Sequence, residues 1–188
     1  SRVEGTEVLA EALAGLGRPP AVVVSASAVG FYGDRGDEEL TEDSEPGTGF
    51  LAEVCERWEA AAVPIASPNT RLVLARTGIV CTPDGGALGR MLALTRLGLG
   101  GRLGNGRQWW SWITLEDEVR ALLHLLDTPV AGPVNLVAPG TCRNAEFVRT
   151  LARALRRPAL LPAPALALRA VLGEMANGLL LASARVDM

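Results

Sequence analysis

Lysine is absent from this chain of 188 residues, and all 18 of its basic residues are arginine. Without a lysine amine, the chain cannot form a Schiff base, build a Walker phosphate loop or supply the Tyr-x-x-x-Lys pair of many dehydrogenases. Histidine occurs once, at His124, within an apolar run typical of a packed helix. A serine–histidine triad therefore has only one candidate base.

Cysteine and long apolar runs are also scarce. The three cysteines are far apart and form no Cys-x-x-Cys motif, which argues against a disulfide framework or a zinc ribbon and favours the cytoplasm. We therefore expect no metal site. No uninterrupted apolar stretch reaches the roughly 18 residues of a membrane-spanning helix. The net charge of −3 argues against nucleic acid as the main partner, because phosphate binding needs a basic surface.

The most informative segment is an apolar run that begins at Ala21 and breaks into hydroxyl residues. Four β-prone residues, with two prolines before them and a glycine after, predict a buried parallel strand over residues 21–25. Ligands of open α/β sheets bind outside the carboxyl ends of such strands, so Ser25, Ser27 and Tyr32 fall where chemistry is expected. The alternative is that the serines only satisfy a turn.

Helical and strand patterns alternate along the chain. The predicted helices span residues 2–16, 50–63, 88–97, 116–126, 144–155 and 165–183, and the predicted strands span residues 21–25, 71–80 and 133–137. Strands separated by helices favour a parallel sheet with right-handed crossovers. Between them, three tryptophans at 109, 110 and 112 follow a glycine-rich stretch; they either line a ligand pocket or cover the core.

Four motifs, taken in order, resemble one known family. Residues 25–33 (SASAVGFYG), 50–62 (FLAEVCERWEAAA), 104–113 (GNGRQWWSWI) and 172–176 (LGEMA) are similar to the atypical extended short-chain dehydrogenase/reductases. This is the NAD-dependent epimerase/dehydratase-like family, which has a short C-terminal domain of its own. The resemblance covers nearly the whole chain. It implies an α/β fold: the C-terminal part of a Rossmann-like parallel sheet with a small α-rich substrate domain.

The resemblance also implies how the chain is divided. Residues 1–81 would be the C-terminal part of the NAD(P)-binding domain, residues 82–140 a substrate-side segment interleaved with the remaining Rossmann elements, and residues 141–188 the α-rich domain. The family's glycine fingerprint is missing, because the glycines between residues 98 and 106 do not have its spacing. We therefore expect the C-terminal two thirds of a longer protein, whose exposed first strand makes this chain prone to aggregate.

The implied catalytic residues are incomplete. Ser27 takes the position of the family's catalytic serine or threonine, which hydrogen-bonds the substrate. The tyrosine and lysine of the family's proton relay fall on Phe50 and Val54, and neither side chain can carry a proton. Tyr32, the only tyrosine, either replaces the missing acid or packs in the core.

Cofactor and substrate contacts follow from the same resemblance, with NAD or NADP as the implied cofactor. The residues expected to bind the cofactor are Arg2, Ser25, Thr77, Gly78 and Val80, and those expected on the substrate side are Gly104, Gln108 and Trp110. Arg2 stands where the family has a helix-start residue beside the cofactor; its alternative is a solvated first-turn arginine. Gly78 would permit close approach of the nicotinamide.

Two functions remain open from the sequence. The first is an NAD(P)-binding epimerase or reductase that acts on a carbonyl or nucleotide-sugar substrate. The second, favoured by the missing relay, is an NAD(P)-binding sensor or scaffold without turnover. We expect a small-molecule substrate and no nucleic-acid or membrane partner. A homodimer is also expected, because residues 2–16 and 50–63 correspond to helices through which many relatives dimerise.

Overall fold

The computed structural model describes residues 1–173 and 176–187. Its α-helices are α1 (Arg2–Ala14), α2 (Phe50–Ala62), α3 (Gly86–Arg96), α4 (Leu115–Asp127), α5 (Asn144–Ala154) and α6 (Ala165–Leu172). Its strands are β1 (Val22–Ala28), β2 (Glu39–Leu40), β3 (Arg71–Thr77), β4 (Ile79–Cys81), β5 (Trp109–Trp110), β6 (Trp112–Thr114), β7 (Gly132–Leu136), β8 (Cys142–Arg143) and β9 (Arg185–Val186). Within these residues, no helix has both the length and the apolar character needed to cross a membrane.

A three-stranded parallel sheet in the order β1-β3-β7 forms the centre of the fold. Val22 in β1 pairs with Arg71 in β3, and the register continues without interruption to Ala28 and Thr77. The α/β class with a Rossmann-like parallel sheet is thereby confirmed. β1 lies at the edge of this sheet, and no described residue pairs with its outer side.

The central strand is apolar on both of its faces because each face is covered. Leu72 and Leu74 pack with residues of α1 and α2 on one side of the sheet. Val73 and Ala75 pack with residues of α4 and β7 on the other side. A strand buried in this way reads as a continuous apolar run, which is why the sequence predicts it well. It also means that Arg76, next in line, points toward α2.

The C-terminal end of the chain differs from its prediction. A continuous helix over residues 165–183 is wrong, because α6 ends at Leu172 and Gly173 takes the left-handed φ of 59° that stops it. Residues Asn177–Leu181 form a separate π-helical turn. The sequence motif at residues 172–176 includes Glu174 and Met175, which lie outside the described residues.

The acidic loop, residues 33–49, is held in place by the last strand. β9 pairs with β2, which lies within this loop. Arg185 also forms an ion pair with Glu39, and Arg143 forms one with Asp37. Val186 is almost completely buried. The loop that follows β1 is therefore fixed from the far end of the chain.

Candidate functional site

Ser27, Glu59 and Arg76 form a buried polar cluster under α2. Ser27 and Arg76 are register partners in β1 and β3, so their side chains lie next to each other. The Ser27 hydroxyl donates to Oε1 of Glu59 over 2.5 Å. Arg76 donates from Nε and Nη2 to the two carboxylate oxygens of Glu59, each over 2.9 Å. All three residues are buried, so the pairing satisfies charges that would otherwise be costly in the core.

Arg76 also connects this cluster to Tyr32. Its Nη1 donates to the Tyr32 hydroxyl over 3.0 Å, and its guanidinium lies 3.6 Å from the centre of the Phe31 ring. The Tyr32 hydroxyl in turn donates to Oδ1 of Asn135 in β7 over 2.7 Å. The backbone N–H of Asn135 donates to Oε1 of Glu42 in the acidic loop. One hydrogen-bonded network therefore joins the sheet, α2 and the acidic loop.

The electrostatics of the network keep Tyr32 and Arg76 in fixed protonation states. Burial raises the pKa of Tyr32, although its hydrogen bond with Arg76 opposes the shift. Burial alone would lower the pKa of Arg76, but hydrogen bonds to Glu59 and Tyr32 more than offset it, so the pKa of Arg76 is raised. Tyr32 stays a neutral phenol and Arg76 stays a cation at physiological pH. Tyr32 has no exposed surface, which agrees with the alternative that it packs in the core.

The residues predicted to bind the cofactor fall on two faces of the sheet. Ser25 is half-buried on the same face as Ser27. Thr77 ends β3 on the opposite face, where its hydroxyl donates to Oε1 of Glu118 over 2.9 Å. Val80 packs in the apolar cluster of that face. Arg2 is exposed at the start of α1, with its guanidinium 4.9 Å from the Trp58 ring centre.

Gly78 has a packing reason to be glycine. A Cβ atom built there would lie 2.8 Å from the backbone oxygen of Ser111 and 3.1 Å from a methyl group of Val137. The N–H of Gly78 donates to the Leu136 oxygen. The chain passes too close to its neighbours at this point for any side chain, independently of a cofactor.

The residues predicted on the substrate side are mostly buried. Gln108 donates from Nε2 to the backbone oxygens of Leu103 and Leu180, which links two separate segments. Trp110 is buried against Phe147, with ring centres 5.4 Å apart. Gly104 adopts a φ of 59°. Gln108 and Trp110 thus shape this region from below its surface.

The other two tryptophans of this segment, Trp109 and Trp112, are only partly buried. The guanidinium groups of Arg143 and Arg185 lie 4.1 and 4.9 Å from the centre of the Trp109 ring, and its Nε1 donates to Asp37. Trp112 donates from Nε1 to the Gly140 oxygen. Trp110 therefore agrees with the alternative that these tryptophans cover the core. Trp109 is accessible enough to line a ligand pocket.

Sequence reasoning did not select Glu59, Arg76, Asn135 or Glu118. For Glu59 a signal was available, because it occupies the apolar face of α2 together with Ala52, Cys55 and Ala62, all of them buried. A charged residue on an apolar helix face, with an opposite charge inside an apolar strand, indicates a buried ion pair. No local pattern marks Asn135. Among the described residues, no group of three or more His, Cys, Asp and Glu side chains is arranged to hold a metal ion.

Two curated proteins similar to this chain are both described as epimerase family proteins. No protein-family model matches this chain. An epimerase family protein of Mycobacterium bovis is 50% identical over 183 residues, which are 96% of this chain and 60% of that protein. The human epimerase family protein SDR39U1 is 39% identical over 188 residues, which are 99% of this chain and 64% of that protein. The chain is similar to these epimerase family proteins over nearly its whole length.

Solved structures agree with this similarity. The crystal structure of human SDR39U1 (isoform 2) with NADPH superposes with a TM-score of 0.94 at 38% identity, covering 99% of this chain and 63% of that one. A nucleoside-diphosphate sugar epimerase from Corynebacterium glutamicum gives a TM-score of 0.74 at 37% identity, covering 97% of this chain and 42% of that one. The chain spans about three fifths of the length of the curated epimerase family relatives it matches.

The two relay positions that the resemblance implies, Phe50 and Val54, lie at the start of α2. Phe50 opens α2 and is 59% exposed, and Val54 is half-buried one turn later. Neither offers an ionisable atom. The only phenol of the chain, that of Tyr32, is held to the Arg76 guanidinium in the core.

Proposed function

We propose that this protein binds NADPH or NAD across the carboxyl ends of β1 and β3. The observation that carries the proposal is the uninterrupted parallel register of these strands, which ends with Ala28 beside Thr77. Ligands of open α/β sheets bind outside such strand ends. Support comes from human SDR39U1, a structural neighbour solved with NADPH. Other structures of the same fold contain NAD.

The proposed cofactor contacts are Arg2, Ser25, Thr77, Gly78 and Val80, and Arg2 is the one most easily tested. Its guanidinium is exposed at the first turn of α1 and free to reach a phosphate or ribose. We expect Arg2→Ala to weaken NADPH binding by about 1 to 3 kcal/mol, the range for a charged hydrogen bond. Arg18→Ala, in the exposed segment after α1, is the matched control. An unchanged dissociation constant for Arg2→Ala would reject the contact.

The proposed activity is that of an epimerase or reductase acting on a carbonyl or nucleotide-sugar substrate. Ser27 would hold the substrate oxygen after release from Glu59, and Gly104, Gln108 and Trp110 would shape the substrate side. The similarity to the Corynebacterium protein described as a nucleoside-diphosphate sugar epimerase supports this substrate class. The proposal includes a small-molecule substrate, a cytoplasmic location and a homodimer formed through α1 and α2.

A second candidate is an NAD(P)-binding sensor or scaffold without turnover. It is favoured by the bond between Ser27 and Glu59, which occupies the serine hydroxyl, and by Phe50 and Val54 at the relay positions. The test is made on the full-length product of the gene. NADPH titration is followed by a search for hydride transfer with a panel of carbonyl compounds and nucleotide sugars. Binding without turnover supports the second candidate, and no binding contradicts both.

A further inference from the structure

Basic charge is concentrated in two stretches of the chain. Residues 85–115 contain four arginines and no acidic residue, and residues 128–173 contain six arginines with Glu146 as the only acid. The remaining residues carry eight arginines against 20 acidic residues. The net charge of −3 therefore hides a strongly positive C-terminal region, which attracts anions. We call residues 85–115 and 128–173 the basic region.

A cavity of about 510 Å³ opens within the basic region, between α5 and the segment that follows it. Five of its seven lining residues are apolar: Ala145, Val148, Ala159, Leu160 and Pro162. Leu160 is 77% exposed at this site, although a leucine gains free energy when it is covered. The cavity therefore offers an apolar surface of the size used for small-molecule binding.

Two arginines, Arg102 and Arg149, complete the lining. Arg149 donates from Nε to the Ala145 oxygen over 3.1 Å, and its terminal amino groups remain available. In the described part of the chain, neither guanidinium has a carboxylate within ion-pair distance. By contrast, Arg76 and Arg143 both have ion-pair partners. The cavity thus holds two unneutralised cations beside apolar walls.

Backbone pairing fixes the wall that carries Arg102. The N–H of Ala163 donates to the Arg102 oxygen over 2.9 Å, and the N–H of Gly104 donates to the Ala163 oxygen over 2.8 Å. At Gly101 the two segments are so close that an added Cβ atom would overlap the Leu161 oxygen. Because these contacts hold the wall without a ligand, little ordering cost is left for binding.

We propose that this cavity binds an anionic amphiphile, a molecule with a carboxylate or phosphate group and an apolar body. The apolar body packs against Ala159, Leu160 and Pro162. The anionic group accepts charge-assisted hydrogen bonds from Arg102 and Arg149. None of the lining residues belongs to β1, β3 or β4, so this site is separate from the proposed cofactor site. The proposed occupant is a single molecule rather than a membrane surface, and the experiment below distinguishes the two.

The test measures binding of sodium octanoate by isothermal titration calorimetry, with 1-octanol as the uncharged analogue and inorganic phosphate as the anion alone. We expect octanoate to bind more tightly than either. The double variant Arg102→Gln/Arg149→Gln should lose about tenfold or more in affinity, as expected for removed charged hydrogen bonds. Ala159→Trp, which fills the cavity and keeps both charges, should abolish binding.

Arg153→Gln is the matched control, because Arg153 is also an exposed arginine of α5 but does not line the cavity. Its affinity for octanoate should equal that of the wild type. Equal binding of octanoate and 1-octanol, or full binding by the double variant, would overturn the proposal. So would sedimentation with phosphatidylglycerol vesicles in the absence of octanoate binding. All measurements omit NADPH, so their outcome is independent of the proposed function.

Discussion

Glu59 and Arg76 form a buried, two-bonded ion pair between α2 and β3, with both nitrogen–oxygen distances at 2.9 Å. The side chains are only 9% and 5% exposed. An arginine cannot relieve such burial by losing its proton, because its pKa lies above the physiological range. Arg76 is therefore always charged, and the fold needs Glu59 beside it as the counterion at the centre of the candidate site.

We expect Glu59→Gln to lower the free energy of unfolding by about 3 to 5 kcal/mol, because Arg76 would then be a buried charge without a counterion. Denaturant unfolding of the purified protein measures this. The control is Glu116→Gln, which breaks an exposed pair with Arg120 and should cost at most about 0.5 kcal/mol. Equal stability of Glu59→Gln and wild type would show that the pair contributes nothing.

Glu118 should make stability depend on pH. Burial raises the pKa of its carboxyl, and the hydrogen bond from Thr77 only partly opposes this. As pH rises from about 4.5, the unfolded chain releases this proton first, so the folded state loses stability until pH passes the raised pKa. Between the two pKa values, the free energy of unfolding falls by about 1.4 kcal/mol for each pH unit.

Replacing Glu118 with glutamine should remove that loss. We expect Glu118→Gln to be more stable than wild type near neutral pH and to gain nothing at about pH 4. Unfolding curves at several pH values compare it with Glu116→Gln, which alters an exposed carboxyl in the same first turn of α4. If both variants follow the wild-type pH profile, Glu118 ionises normally in the folded protein.

Tyr32→Phe separates the two alternatives for the only tyrosine. Loss of the hydroxyl leaves Asn135 and Arg76 each without one buried hydrogen bond, so we expect a destabilisation of about 1 to 3 kcal/mol. In the packing alternative, NADPH affinity and turnover per folded molecule do not change. A drop in turnover of about 100-fold, with NADPH affinity intact, would instead identify Tyr32 as the acid.

The open edge of β1 should make the 188-residue chain aggregate. Ala26 is exposed on this strand, and a flat apolar edge is a template for pairing with another copy. We expect Ala26→Lys to reduce light scattering on mild heating, since charge on an edge opposes such pairing, whereas Ala26→Ser should not. A sharp, reversible melt of the monomeric wild-type chain would contradict the prediction.

Elements with strong local patterns could be predicted from the sequence. The apolar stripe of α2 and the buried run of β3 gave their positions to within a few residues, because each element carries its own periodicity. The break between β3 and β4 was missed; it occurs at Gly78, where the close passage of Ser111 is a tertiary constraint. The sequence also predicted that Ser27 and Thr77 lie at strand ends, and both are found at the same edge of the sheet.

Long-range polar contacts could not be predicted in the same way. The bond between Tyr32 and Asn135 joins residues 103 positions apart, and neither position has a distinctive pattern around it. β9 was missed for a related reason. It has only two residues, and its structure depends on pairing with β2 rather than on its own propensity. Such contacts belong to the assembled fold.

The pairing of β9 with the acidic loop has a consequence for synthesis on the ribosome. Ser183, just before β9, donates from its hydroxyl to the Gly36 oxygen and from its backbone N–H to Oδ1 of Asp34, across 147 and 149 positions of sequence. At typical translation rates of about 5 to 20 residues per second, this separation takes roughly 7 to 30 seconds. During that interval the loop has been made and its partner strand has not. A chaperone that engages the nascent chain would meet the residues around Tyr32 before they can close.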